Sequence, residues 1–336
     1  MSPAGGLDPL RVLVAGAGAV GQWLGLRLMQ AGHDVTLLLR PVHAEAIRAD
    51  GLRIHGEREL HGHPACVTDA AQARKGFDAI LLTCKAHQSA DLVGQVASHL
   101  APDGILVSLQ NGFGNAQKAA RHVPATRIAL APLSRGLMLE RPGLLLDSGG
   151  GPTPVGPYAA AGETAARRAF ALLEHAGADP QWSDDMRGHV WRKALVNHAV
   201  NPVGALHEAA NGQLLDEPAW SQCRELALEG YSIARSTGVA LPGVSGPEGL
   251  VVTVRSTLER TARNRNSMVQ DVANQRPTEV EQISGRLVRA ARRLGIAAPT
   301  SDEVYRKVKA LEARYLGEEA SLRMVREEVQ WESEPF

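Results

Sequence analysis

The segment Arg11-Val-Leu-Val-Ala15-Gly16-Ala17-Gly18-Ala19-Val20-Gly21 constrains the fold of this chain more than any other. An apolar, partly β-branched run stops on three glycines spaced G-x-G-x-x-G. From Ala19 to Ala31 the composition and length are those of a helix, which Gly32-His33-Asp34 breaks. Val35-Thr-Leu-Leu-Leu39 is then a second buried-strand pattern. Strand, helix and strand within about thirty residues make the βαβ unit of a parallel sheet. In such a unit the first glycine permits a tight turn, the second lets the backbone approach a pyrophosphate, and the third lets helix and strand pack closely. Amides at the helix start, together with the helix dipole, favour phosphate charge. A glycine-rich turn by itself often binds nothing; the flanking strand, helix and strand make residues Gly16, Ala17, Gly18, Ala19, Val20 and Gly21 a candidate dinucleotide loop.

Asp78-Ala-Ile-Leu-Leu-Thr83 and Gly104-Ile-Leu-Val-Ser-Leu109 continue the strand series, with a helical stretch near Ala90–Leu100 between them. After Arg127 come shorter strand patterns punctuated by Gly and Pro, at Gly136–Leu139, Gly143–Leu146 and Pro154–Gly156. Ser148 to Pro157 has a linker's composition but reads better as turns between edge strands. A helix over Glu163–His175 and a strand at Pro180–Trp182 complete this part. From about Asp185 strand signals vanish, and Ala, Leu, Glu and Arg recur at helical spacing to about Trp331. The expectation is an N-terminal α/β Rossmann-type doubly wound domain, residues 9–184, followed by an all-α C-terminal domain, residues 185–331.

Composition removes several function classes. Lys plus Arg number 36 and Asp plus Glu 36, so no net basic field exists to hold nucleic acid or an anionic membrane. A small anion would have to be attracted by one or two placed cations. Cys66, Cys84 and Cys223 are an odd, scattered trio, which argues against a disulfide framework and suits a reducing compartment. Residues Met1 to Leu10 lack the pattern of a secretory leader, and no apolar run approaches the ~20 residues a membrane span needs. These features point to a cytoplasmic protein. His55, His61 and His63 lie in an expected loop without metal-ligand spacing, so no metal site is expected. A homodimer through the helical domain is compatible with the sequence, though nothing demands it.

Arg40 ends the second strand, where an NAD-selective site usually carries a carboxylate for the ribose 2′-hydroxyl; an arginine there favours the 2′-phosphate of NADP. Asp34 stands at the wrong end of that strand, and Arg48 and Arg53 lie farther into the following loop. Two further strand ends carry polar residues that a strand does not need: Thr83-Cys-Lys85-Ala-His-Gln88 and Gln110-Asn111-Gly112. Ligands of open α/β sheets lie beyond the carboxyl ends of strands, so Lys85 and Asn111 are expected beside a nicotinamide. Taken singly, a turn and a solvated lysine explain them as well.

Val190-Trp-Arg-Lys193-Ala-Leu-Val-Asn197-His-Ala-Val-Asn201-Pro202 is the most informative later stretch. Lys193, Asn197 and Asn201 recur every fourth residue, making one polar stripe on a helix. Ala194, Leu195, Val196, Ala199 and Val200 between them look buried. A solvated face would more commonly use Glu, Lys and Arg than a pair of Asn. Pro202 is expected to end or kink the helix.

In these motifs the chain resembles the ketopantoate reductases (2-dehydropantoate 2-reductases), over roughly Arg11 to Glu312. The resemblance is carried by the glycine fingerprint with Arg40, Lys85-Ala-His-Gln88, Leu109-Gln-Asn-Gly112 and Trp191-Arg-Lys193 through Asn201-Pro202. It extends to Asn211-Gly-Gln-Leu214, Asn266-Ser267-Met-Val-Gln-Asp271 and Pro277-Thr-Glu279 through Gly285. It implies hydride transfer from NADPH to a small 2-keto acid with a hinge closing between domains. Lys193 would then be the proton donor and Glu279 its neighbouring carboxylate. Lys85 and Asn111 would contact the cofactor, and Asn111, Asn197, Asn201, Asn211 and Ser267 the substrate. Developing charge on a keto oxygen calls for such a donor. The stretch Pro132 to Ser148 departs from the family pattern, and Arg135 or Met138 there is expected to alter the pocket wall. A different 2-keto acid, an opine-type reaction with an amine, and a non-catalytic NADPH sensor are the alternative readings.

Overall fold

The computed structural model describes residues 8–331, so the segment compared with secretory leaders lies, up to residue 7, outside the described residues. The chain divides into two compact units. One comprises the described residues up to Gln110 together with Asn115–Met186, and the other comprises Asn111–Gly114 together with the described residues from Arg187 on.

Among the described residues of the first unit, twelve strands form two sheets. They are β1 (Arg11–Ala15), β2 (Asp34–Leu38), β3 (Leu52–Gly56), β4 (Leu60–Gly62), β5 (Ala65–Val67), β6 (Phe77–Leu82), β7 (Leu100–Ser108), β8 (Ile128–Leu130), β9 (Arg135–Arg141), β10 (Leu144–Gly150), β11 (Thr153–Pro157) and β12 (Pro180–Trp182). The main sheet runs β12-β11-β8-β7-β6-β1-β2-β5. It is parallel except where β11 meets β8. Val12 to Ala15 and Ile80 to Leu82 are wholly buried, because a parallel sheet is covered on both faces and its strands read as unbroken apolar runs. The helices of this unit are α1 (Ala19–Gln30), α2 (Pro41–Asp50), α3 (Ser89–Val96), α4 (Asn115–Ala120) and α5 (Glu163–His175). The doubly wound expectation holds, and Ser148–Pro157 is largely strand rather than linker.

The second sheet, β4-β3-β10-β9, was not foreseen. The stretch around His55, His61 and His63 is not a plain loop: it contains β3 and β4, and β3 pairs in parallel with the distant β10. Arg135 sits at the start of β9. Its guanidinium grips buried Asp147 through Nε at 2.7 Å and Nη2 at 2.8 Å and also pairs with Glu57. Asp147 Oδ2 accepts from the indole of Trp23 in α1 at 2.8 Å. A buried carboxylate needs such partners, so the departure at Pro132 to Ser148 builds a sheet-to-helix anchor.

The second unit is helical: α6 (Met186–His207), α7 (Ala219–Ser236), α8 (Gly246–Arg260), α9 (Ser267–Ala273), α10 (Arg286–Leu294), α11 (Pro299–Leu316) and α12 (Glu318–Val329). Trp191, Leu195, Ala199 and Val203 of α6 pack with Leu226, Ile233, Leu250 and Val254 of α7 and α8. Pro202 does not end α6, which continues to His207. A mid-helix proline costs about 3 kcal/mol. The following turn buries Val203 and Ala205, and that burial offsets the lost hydrogen bond.

Candidate active site

The glycine loop shows three separate reasons for three glycines. Gly16 has φ +77°, and a Cβ there would collide with Cys84; a Cβ on Gly21 would lie 2.5 Å from Thr83 Oγ1 and 2.9 Å from Val14. A Cβ on Gly18 would meet nothing within 4 Å, so the space above Gly18 is open to another molecule. Gly18 caps α1 without a side-chain hydrogen bond, leaving the first-turn amides to an outside acceptor. The donor set therefore fits a dinucleotide pyrophosphate.

Gln22, Ser89 and Asn115, which carried no signal of their own, join the strand-end residues Thr83 and Gln110 in holding this loop in shape. Gly16 N and Ala17 N donate to Leu38 O at 3.1 and 2.9 Å, and Gln22 Nε2 donates to Ala17 O at 3.0 Å. Thr83 Oγ1 donates to Gly16 O at 3.2 Å. Buried Gln110 donates to Cys84 O at 3.0 Å and Ser89 Oγ at 2.6 Å, and Ser89 donates to Asn115 at 2.9 Å. The available signal was polar residues ending apolar strands.

Arg40 lies exposed at the N-cap of α2, with Pro41 following, and its Nη2 lies 3.3 Å from His43 Nε2. Neither of the other two arginines lies in a loop: Arg48 belongs to α2 and donates to Cys66 O at 2.8 Å, and Arg53 belongs to β3. Asp34 pairs with Arg74 at 2.8 Å. Lys85, partly buried, precedes the turn Ala86–Gln88, and Lys118 Nζ braces that turn through Ala86 O at 3.4 Å.

In the helical unit, α6 carries Lys193, Asn197 and Asn201, of which Asn201 is buried and the others partly so. Although Lys193 keeps some accessible surface, burial of its ammonium lowers its pKa to about 7, while the charge of Glu279 opposes that fall. Glu279 is itself buried and accepts from Asn111 Nδ2 at 3.3 Å. Lys193, Glu279 and Asn111 thus come together. The segment Asn111–Gly114 is fastened to the helical unit: Phe113 N donates to Gln282 O at 3.2 Å, and its ring stands edge-on to Trp191 at 4.9 Å.

Farther along, Asn211 Nδ2 donates to Thr261 Oγ1 at 2.8 Å, and Asn266 Nδ2 donates to Asn211 Oδ1 at 3.5 Å. Asn266 caps α9 through Met268 N and Val269 N, both at 3.1 Å, and places Ser267 at its first position. A Cβ on Gly204 would strike Asn266, so Asn211 and Ser267 gather near the last turns of α6. The two ends of the Asn211 side chain both have protein partners, so part of its work is structural.

Another group missed from sequence lies on the same helix. His198, fully buried, has Nδ1 2.9 Å from Ser284 Oγ and Nε2 3.0 Å from Ser301 Oγ. Ser301 donates to Glu229 at 2.6 Å. Ser284 belongs to a π-helical turn, Glu281–Gly285, just after Glu279. The ring ties α6 to the carboxylate-bearing segment, and desolvation lowers its pKa to about 4. Among the described residues no group of three His, Cys, Asp or Glu could hold a metal. His55 pairs instead with Glu140 at 2.9 Å. None of the three cysteines is in a disulfide, and no described helix is long and apolar enough to cross a membrane.

A lysine with a pKa near neutral beside a buried carboxylate can give a proton to a developing oxyanion. The family model Ketopantoate reductase PanE/ApbA matches residues 12–160, and its C-terminal counterpart matches residues 185–312. The chain is 32% identical to 2-dehydropantoate 2-reductase of Pyrococcus horikoshii, over 90% of this chain and 98% of the relative. It is also 32% identical to the Halobacterium salinarum enzyme of that name, over 86% and 95%. Among solved structures, a PanE/ApbA family ketopantoate reductase from Ralstonia eutropha matches with TM-score 0.81 and 28% identity, over 91% of this chain and 99% of that one. D-mandelate dehydrogenase, solved with NADH and anilino(oxo)acetate, matches with TM-score 0.84 and 25% identity over the same shares. With both halves of the chain matched by its models and relatives of that name aligned over most of its length, this protein belongs to the ketopantoate reductase family of oxidoreductases.

Proposed function

We propose that the protein is an NADP-dependent oxidoreductase that reduces a 2-keto acid to a 2-hydroxy acid, with 2-dehydropantoate as substrate and pantoate as product, in the cytoplasm. Residues 9–184 serve as the nucleotide-binding domain and residues 185–331 as the catalytic domain. Gly16 to Gly21 hold the pyrophosphate, Arg40 the 2′-phosphate, and Lys85 and Asn111 the nicotinamide end. Bound NADPH supplies the hydride. Lys193 donates a proton from Nζ to the substrate's keto oxygen, and Glu279 keeps enough of that ammonium protonated near neutral pH. Asn111, Asn197, Asn201, Asn211 and Ser267 orient the substrate with neutral groups that leave the lysine's pKa undisturbed.

The observation that carries this reading is the meeting of Lys193, buried Glu279 and Asn111, where burial lowers the lysine to about 7 and Glu279 opposes that fall. Lys193→Ala should lower turnover by roughly 10²–10⁴, the range for a lost general acid, while NADPH binding measured by fluorescence titration stays intact. Wild-type turnover in that variant would overturn the assignment. A second reading, reduction of a bulkier 2-keto acid, is favoured by the likeness to D-mandelate dehydrogenase, whose bound anilino(oxo)acetate is an aryl-substituted 2-oxo acid amide. Steady-state rates with 2-dehydropantoate and phenyl-substituted 2-keto acids, each with NADPH and NADH, separate the two.

A further inference from the structure

We infer that His43 is a positioning residue for cofactor choice: it holds the Arg40 guanidinium at the site of the 2′-phosphate. This rests on the reading of Arg40 given above. His43 is buried in the first turn of α2, three residues after Arg40, and its backbone N donates to Arg40 O at 3.0 Å. Its Nε2 lies 3.3 Å from Arg40 Nη2. A guanidinium only donates and stays charged, so Nε2 must be the acceptor and the ring a neutral tautomer with its proton on Nδ1. Arg40 itself is exposed, and a long exposed arginine loses rotamer freedom when it grips an anion. A buried ring that accepts from one guanidinium nitrogen reduces that loss. The N-terminus of α2 beside it adds the positive end of a helix dipole.

The test compares adenosine 2′,5′-bisphosphate with adenosine 5′-monophosphate by calorimetry, since the two differ only in the 2′-phosphate. His43→Leu should weaken the bisphosphate ~10-fold, the scale of a lost charge-assisted hydrogen bond, and leave the monophosphate unchanged. His43→Gln, whose amide oxygen reaches near the Nε2 position, should retain selectivity; His43→Asn, which stops short, should lose it. A general packing role would shift both nucleotides alike. Equal loss for both, no loss for either, or identical behaviour of the Gln and Asn variants overturns the inference. Arg40→Ala is the control for the underlying reading. If it abolishes selectivity while the His43 variants do not, only the inference about His43 fails. If Arg40→Ala leaves selectivity intact, the assignment of Arg40 fails and takes this inference with it.

Discussion

Glu279→Gln removes a charge and leaves the shape almost unchanged, so it asks what the carboxylate does for Lys193. Burial pulls the lysine down and Glu279 pulls it up, with a balance at about 7. An opposite charge in close range is worth 1–3 pKa units, so neutralising it should move the lysine to ~6 or below. With a shift of ~1 unit, the protonated fraction at neutral pH falls from about half to about a tenth, a roughly fivefold loss. One pH unit higher, the loss approaches ~10-fold, and near pH 5 it almost vanishes because both enzymes are then protonated. The assay is kcat/KM for the keto acid across that range at saturating NADPH, read from NADPH absorbance. The wild-type profile should fall as pH rises through about 7, and the variant's break should lie lower. A loss that is uniform across pH, with the break unmoved, would refute the electrostatic argument and leave Glu279 a geometric part only.

Gly18→Ala should leave thermal stability unchanged but weaken NADPH, because its new methyl meets only open space. Gly21→Ala should lower stability by about 1–3 kcal/mol through overpacking against Thr83 and Val14; equal melting temperatures for the two variants would contradict this. His198 binds a proton less readily folded, at about 4, than unfolded, at 6.5. Its contribution is therefore complete above 6.5 and is lost as pH falls toward 4, about 3 kcal/mol across that window. Urea unfolding of His198→Gln should show a correspondingly flatter acid dependence than wild type, and parallel curves would refute it. Arg135→Ala strands buried Asp147 and should cost about 3–5 kcal/mol in urea unfolding, whereas a loss below about 1 kcal/mol would show that water replaces the guanidinium.

The parts of this fold legible in the sequence were those where one local rule ruled alone. β1, β2 and β6 are apolar runs stopped by glycine or polar residues, and α5 matched its expected span because its apolar period is clean. The lysine–asparagine stripe on α6 was legible because asparagine is a poor helix former that must be there for another reason. β3 and β4 were not, because Leu52-Arg-Ile-His-Gly56 and Leu60-His-Gly62 are short and mix charge with apolar residues. They become strands by pairing with each other and, for β3, with the distant β10. That Pro202 does not end α6 was not legible, because a propensity rule weighs one residue whereas the burial that overrides it lies in the next turn. His198 gives no local signal at all, since its partners Ser284 and Ser301 are 86 and 103 residues away.

The four residues Asn111–Gly114 have a practical consequence for anyone who would cut or recombine this gene. They interrupt the α/β portion in sequence but are bound into the helical one, where Asn111 meets Glu279 and Phe113 covers Trp191. A fragment begun at Arg187 would lack both, leaving an uncovered indole and a buried carboxylate short of a donor. Swapping whole C-terminal halves between relatives would therefore need this tetrapeptide to travel with the half that it completes.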